Sequence, residues 1–414
     1  MRSPSPAIDR FRALVERDPS LQEQLYRPDD PKLFIALVVE AARNRNLGLD
    51  AAEVEAAIQA KRRVSANERG TRLPPRGWLP VRAGWRDHEL IVDWAYLGPR
   101  RLLEPFFEES VLLCLTKPFN RLFDYSTPID ALAGWLKQHP GLPPTGFIFH
   151  LSRCGSTLVS QMLAAIPRNV VLSEASPIDA VVQAKRNRPD LGDAQHAAWL
   201  RWMIGALGQA RSGEEQHVFV KLDSWHALAL PLFRRAFPTV PWIFLYRDPL
   251  EILVSQLRQR GMHMVPGLIG WDALGLEASP SDEVPEIHCA QVLARICDGV
   301  LRDYTPDRAL LVNYQKLPAA LWTAVMPHFG VPCSADDRAA MAEAARYDAK
   351  SPELPFSVDT DTKRNAATDQ IRSTAQQLHG LHARLDALRL GLIGWDGGDV
   401  PGENARRRST SPID

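Results

Sequence analysis

Apolar positions recur at helical spacing through the front of the chain. Ile8, Phe11, Leu14 and Val15 make one face, and Phe34, Ile35, Val38 and Val39 make another. A third helix is predicted from Asp50, an N-cap with Glu53 three positions on. That is the spacing of a capping box, in which each side chain satisfies an orphan backbone N–H. The pattern breaks in "AKRRVSANERGTRLPPRG" (Ala60 to Gly77) into charge, Gly and Pro, so residues 1–62 read as a three-helix unit and 63–77 as a linker. Over 78–145, "ELIVDW", "VLLCL" and "PFNRLFDY" predict short strands and helices in a lead-in region whose role no motif explains.

From Gly146 strands and helices alternate. Strands are predicted at 146–150, 217–221, 242–246 and in "ALLVNY". Helices are predicted at 156–165, within 177–210, at 225–236 and 249–259, and near 285–303, 315–328, 335–347 and 366–390. This order implies an α/β domain over 146–396, a parallel sheet flanked by helices, behind a small all-α N-terminal module. Residues 397–414 are rich in Gly, Pro and charge and read as a disordered tail.

Composition narrows the partners. Of 414 residues 45% are hydrophobic, enough for a large core, and 49 basic residues balance 49 acidic ones. A net charge of +0 argues against a dedicated nucleic-acid surface or a polybasic membrane surface. The five cysteines are scattered with no CxxC pair, which supports neither a disulfide framework nor a metal site and fits a reducing cytoplasm. The start, "MRSPSPAIDRF", lacks a signal pattern, and no run of about 18 apolar residues occurs.

Two strand-to-helix junctions carry chemistry. In "HLSRCGSTL" (His150 to Leu158), Gly155 allows close backbone approach, Arg153 offers forked donors, and Ser156 and Thr157 bring hydroxyls to a helix start, where backbone N–H groups favour an anion. It is not a Walker A loop, because Ser156 stands where GxxxxGK[ST] needs lysine. An ordinary capped turn is the bland alternative. In "WIFLYRDPLEILVSQL" (Trp242 to Leu257), Arg247 ends a strand, Asp248 and Pro249 open a helix, and Ser255 lies eight positions after Arg247. Arg with Asp at a helix start is often structural, yet two anion grips on one parallel sheet are harder to explain that way.

Together "SRCGSTLVSQML" and "LYRDPLEILVSQL" resemble the paired cofactor loops of sulfotransferases, over about Gly146 to Gly330. The resemblance implies a P-loop-like α/β fold that uses 3′-phosphoadenosine 5′-phosphosulfate (PAPS), with no metal. Arg153, Cys154, Gly155, Ser156 and Thr157 would line the 5′-phosphosulfate site, and Arg247 and Ser255 the 3′-phosphate site. Cys154 departs from the Ser or Thr frequent there and would cost one hydroxyl donor. "LLVNYQKLPAALWTAVMPHFGVP" resembles the family's next strand and helix, which would set Tyr314 beside the nucleotide; a core tyrosine is the alternative. In "AKSPELPFSVDTDTKRN", where such folds carry a loop over the cofactor, Lys363 and Arg364 are candidate ligands or a solvated basic pair.

Sulfuryl transfer to a hydroxyl needs a base and cations at the departing oxygen. Glu174, in "NVVLSEASP", resembles the catalytic glutamate of tyrosylprotein sulfotransferases; Lys221 would contact the sulfonate; His226 is the alternative base, since cytosolic members use a histidine. Residues 7–58 are similar to the Nif-eleven leader domain of natural-product precursors, which implies a peptide or secondary-metabolite acceptor, or a biosynthetic partner bound through the helical apolar faces. A kinase-like phosphotransferase and a non-catalytic nucleotide- or peptide-binding protein remain the rival readings.

Overall fold

The computed structural model describes residues 6–59, 72–277, 284–351, 353–357 and 359–393. The expected tail and the expected linker up to residue 71 lie outside these.

Among the described residues eight strands form two sheets: β1 (Trp78–Arg86), β2 (Glu89–Tyr96), β3 (Tyr125–Pro128), β4 (Pro144–His150), β5 (Asn169–Ser173), β6 (His217–Lys221), β7 (Trp242–Tyr246) and β8 (Ala309–Asn313). The larger sheet is parallel throughout, in the order β5-β6-β4-β7-β8. Its strands are short continuous apolar runs, as expected for strands covered on both faces. The chain leaves β4 at the centre, builds outward to β5 and β6 on one side, then crosses to β7 and β8. The carboxyl end of β4 is therefore the topological switch point, where open α/β sheets form a ligand crevice. β5, in "NVVLS", is a strand of the parallel sheet that the sequence pattern did not reveal.

Helix limits differ from expectation where turns compete with the apolar period. The 225–236 helix opens as a 3-10 turn (Ser224–Ala229) before Leu230–Ala236. The region 315–328 is split between 3-10, π and α turns. The helix expected at 366–390 is divided into Asp369–Gln376 and His379–Arg389, preceded by Thr360–Asn365.

The lead-in region is an antiparallel sheet, β1-β2-β3, whose first hairpin turns on Asp87 and His88, both at positive φ (50° and 67°). The front of the chain forms four helices rather than three (Pro6–Glu16, Pro19–Tyr26, Pro31–Arg43 and Ala51–Gln59), because Asp18 and Pro19 restart the first. The Asp50–Glu53 capping box is formed, at 2.8 and 3.1 Å. These helices lie on the small sheet: Trp78 donates to Gln22 Oε1 (3.2 Å), Arg12 Nε to the Leu122 carbonyl (3.0 Å), and Tyr26 packs edge-on to Tyr96 and Phe119. Phe11, Phe34 and Val38 are fully buried. The apolar faces expected to receive a partner are thus largely spent on the chain's own core.

Candidate functional site

Both junctions and the ends of β5 and β6 meet at the carboxyl edge of the parallel sheet, around a cavity of about 430 Å³. Its wall includes Arg153, Gly155, Ser156, Thr157, Glu174, Arg247, Ser255, Tyr314 and Lys363. Cys154 and Arg364 are not in that wall, nor are the side chains of Lys221 and His226.

After β4 the backbone turns through two left-handed residues, Arg153 (φ 61°) and Gly155 (φ 85°), into the helix Ser156–Ala164, which no side chain caps. Uncapped N–H groups at a helix start are an anion receptor. A Cβ on Gly155 would stand 2.8 Å from the Tyr314 ring and 3.0 Å from Leu317, so only glycine keeps this loop against the next wall. Cys154 is buried inward, and burial pushes its thiol up to about 12. It can serve the loop only through its backbone. Arg153 is half-buried, and its guanidinium donates to the Gln259 carbonyl.

The second grip is built on Arg247, which ends β7. Its guanidinium stacks over the Tyr314 ring (3.9 Å to the centroid), donates to Glu251 (2.6 Å) and reaches Asp359 (3.0 Å). Burial would lower its pKa, but Tyr314, Asp359 and Glu251 outweigh it and the net shift is upward. Lys363 pairs with the same Asp359 at 2.7 Å, and Asp248 caps the following helix by accepting from the Leu250 N–H (2.9 Å). Arg364 instead faces Glu251 (3.4 Å) and Asp248 (3.6 Å) outside the wall. Tyr314 is both a cavity residue and the platform for Arg247.

Between the grips, Glu174 follows β5 in a left-handed conformation (φ 54°), unusual for a glutamate, and its backbone N–H donates to the Lys221 carbonyl (2.8 Å). Its carboxylate contacts the fully buried Lys221 ammonium and lies 3.5 Å from His150 Nε2. Burial raises this carboxyl, yet Lys221 and His150 together hold it well below the usual carboxylate range. His226 is buried away from the cavity, its Nε2 within 2.8 Å of Asp179 Oδ1, which also accepts from Trp225 Nε1 (2.8 Å). Burial lowers the imidazole and Asp179 and Asp223 raise it, the net direction being up.

Several wall residues escaped the sequence pattern. Lys350 is one, its ammonium 5.7 Å from the Phe106 ring, with Lys221 5.2 Å from the same ring; burial and then Arg153 bring the Lys350 amine down to about 8. Phe106 shows what the lead-in region contributes: a wall of the site, anchored where Ser173 Oγ donates to the Pro105 carbonyl (2.8 Å). Asp223, two residues beyond Lys221, and His263, held by Ser224 Oγ at 3.0 Å, complete it. Only Asp223 had a signal, as a carboxylate just past a strand end. The ligating atoms of Asp179, Asp223 and His226 lie within 4.8 Å of one another, but Asp179 Oδ1 is already shared by two N–H donors.

No helix among the described residues is long and apolar enough to cross a membrane. No protein-family model and no curated protein matches the chain. Among solved structures it is similar to the sulfotransferase domain from the curacin biosynthetic pathway (17% identity, 58% of this chain and 98% of that one, TM-score 0.35). It is similar also to the sulfotransferase domain of the Synechococcus PCC 7002 olefin synthase (17%, 58% and 96%, 0.35) and to sulfotransferase STF9 from Mycobacterium avium (12%, 60% and 81%, 0.34).

Proposed function

We propose that this chain transfers a sulfuryl group from PAPS to a hydroxyl-bearing acceptor. One observation carries the proposal: two separate anion grips, one of uncapped N–H groups and hydroxyls with Arg153, the other of Arg247 and Lys363, open on a single cavity. A bisphosphorylated nucleotide has two anionic ends to fill them, whereas ATP has one polyphosphate chain and would want the lysine that Ser156 replaces. The donor set also fits: Gly155 leaves the space a Cβ would fill, and hydroxyl and guanidinium groups supply charge-assisted hydrogen bonds.

PAPS, when bound, supplies an activated sulfuryl group. The chain's own residues then do the following. Gly155, Ser156 and Thr157 hold the 5′ end by backbone and hydroxyl donors. Arg247 with Ser255 and Lys363 takes the 3′-phosphate, and Tyr314 fixes the Arg247 plane. Lys221, fully buried behind the wall and paired with Glu174, adds positive charge to the field at the bridging oxygen. Phe106, Trp225 and Phe356 exclude water. A peptide or secondary-metabolite acceptor rests on the leader-like pattern of residues 7–58 and on the likeness of Glu174 to the glutamate of tyrosylprotein sulfotransferases.

Calorimetric titration with 3′-phosphoadenosine 5′-phosphate against ATP, followed by a sulfate-transfer assay on a panel of phenols, tests the proposal. Preference for the bisphosphate with transfer supports it. Preference for ATP would favour phosphotransfer, and binding without transfer on any acceptor would leave a nucleotide-binding protein.

A further inference from the structure

We propose that Asp223, rather than Glu174 or His226, receives the proton of the acceptor hydroxyl. This rests on the sulfuryl-transfer reading above and assigns its base.

Of the carboxyl and imidazole groups around the cavity, Glu174, His226 and Asp223 are the candidates for the base; His150 is engaged by the Leu151 and Leu222 carbonyls and His263 Nε2 by Ser224 Oγ. Glu174 is bound to the Lys221 ammonium and approached by His150, so its lone pairs are engaged and its basicity is suppressed. His226 is 1% exposed, and its Nε2 is committed to Asp179, with no face on the cavity. Asp223 alone lines the cavity with a carboxylate that makes no hydrogen bond among the described residues; its nearest ionic neighbour is His226 Nε2 at 3.7 Å. Its side chain is 12% exposed, and that opening is onto the cavity. A carboxylate without a hydrogen bond in a nearly dry wall is costly unless it is protonated or given a donor, and an acceptor hydroxyl would be such a donor.

The groups facing it set its strength. Lys221 comes from β6, Glu174 from the end of β5, Asp179 from the helix Ser176–Val182 and His226 from its own turn; Arg153, His150, His263 and Lys350 stand in the remaining wall. Burial is the largest influence, Glu174 and Asp179 add to it, and His226 and Lys221 oppose it, leaving the carboxyl pushed up to about 7. A base of that strength is matched to neutral pH. Asp179 and His226, bonded to each other behind it at 2.8 Å, form a positioning pair.

In the step itself the acceptor oxygen bonds to sulfur as the sulfur–oxygen bond to the 5′-phosphate breaks, its electron pair leaving with the phosphate. The hydroxyl proton passes to Asp223 and then to solvent after product release.

Asp223→Asn and Asp223→Glu, in the full chain, test this. Calorimetry with 3′-phosphoadenosine 5′-phosphate should show Asp223→Asn binding as the wild type does, which also reports folding. Turnover of an un-ionised phenol should fall by roughly 10²–10⁴ in Asp223→Asn. Turnover of an acidic nitrophenol, already ionised at the assay pH, should fall little, because no proton needs a home. Asp223→Glu should restore part of the loss. Independently of activity, ¹³C carboxyl titration should show a resonance moving near pH 7 that Asp223→Asn removes. Equal losses on both phenols, or no such resonance, would make Asp223 a structural carboxylate and overturn the proposal. Wild-type protein that fails to bind the bisphosphate would instead overturn the sulfuryl-transfer reading, and this assignment with it.

Discussion

Asp359 Oδ1 lies 3.0 Å from Arg247 Nη2, while its other oxygen is 2.7 Å from Lys363 Nζ. A carboxylate from the C-terminal part of the chain thus occupies the point between two cations where a ligand anion would be held. A 3′-phosphate taken there, as proposed, would have to displace it. Asp359→Asn is therefore expected to tighten binding of 3′-phosphoadenosine 5′-phosphate and to leave adenosine 5′-phosphosulfate, which has no 3′-phosphate, unchanged. Arg247→Ala should do the opposite to the first ligand, at a cost of about 1.5–3 kcal/mol for a lost charge-assisted contact. Calorimetry with both nucleotides checks the pair; equal effects on both ligands would remove Arg247 from the 3′ site.

Gly155 offers a test of the first loop. At φ 85° any L side chain is strained, and a Cβ would stand 2.8 Å from the Tyr314 ring. Gly155→Ala should lower stability by at least about 1 kcal/mol and weaken the bisphosphate, because Tyr314 is also the platform under Arg247. Tyr314→Ala in the same chain would relieve the contact but not the backbone, so stability should recover only in part. Urea denaturation of the single and double variants measures this.

Much of this site was legible because parallel strands announce themselves as apolar runs, and each ends in a loop whose polar residues must face the sheet's carboxyl edge. Arg153, Gly155 and Arg247 were placed that way, whereas Glu174, which follows the unrecognised β5, came only from the resemblance to tyrosylprotein sulfotransferases. What the sequence hid depends on long-range closure. Phe106 stands at the start of the helix Phe107–Leu115 beyond β2, and Lys350 and Asp359 in the 349–365 segment that only the resemblance set near the cofactor; no local period foretells that these three side chains reach the cavity. Cys154 and His226 sat in the right segments, but their side chains turn inward, a matter of local backbone geometry such as the left-handed Arg153. The front helices were legible as amphipathic, yet amphipathicity does not say whether the apolar face meets a partner or the chain's own sheet.

Lys221 and Glu174 form a buried pair whose halves are worth more together than apart. Lys221→Met would leave the Glu174 carboxylate in an apolar wall without its main countercharge, a loss of about 3–5 kcal/mol at neutral pH. Glu174→Gln added to it should recover much of that stability. The pH dependence has a definite sign. Glu174 ordinarily titrates near 4.5 and is held lower in the folded chain, so its contribution is present above that value and fades as pH falls below it. The penalty of Lys221→Met should therefore shrink on acidification, when the lone carboxyl can take a proton. Urea denaturation at two pH values reads the change, and a pH-independent penalty would mean that Lys221 acts by packing alone.

Removing the front helices should do more than detach a recognition element. Trp78 is 1% exposed, with Tyr125 4.7 Å, Tyr96 5.8 Å and Phe119 6.0 Å from its ring; Tyr26 closes the same cluster from the helical side. Deleting residues 1–62 would bare this aromatic surface and leave the Trp78 indole without its Gln22 acceptor. Aromatic side chains of this size bring about 1.5–3 kcal/mol each when fully buried, so the truncated chain is expected to aggregate or unfold. Gln22→Ala is the milder probe: it removes the acceptor of the Trp78 indole and the amide donor to the Val15 and Glu16 carbonyls, and should cost about 1–3 kcal/mol, with bisphosphate binding intact. A truncated chain that stays soluble, melts as the full chain does and loses only one class of acceptor would show instead that the helices serve recognition, as the leader-like sequence implies.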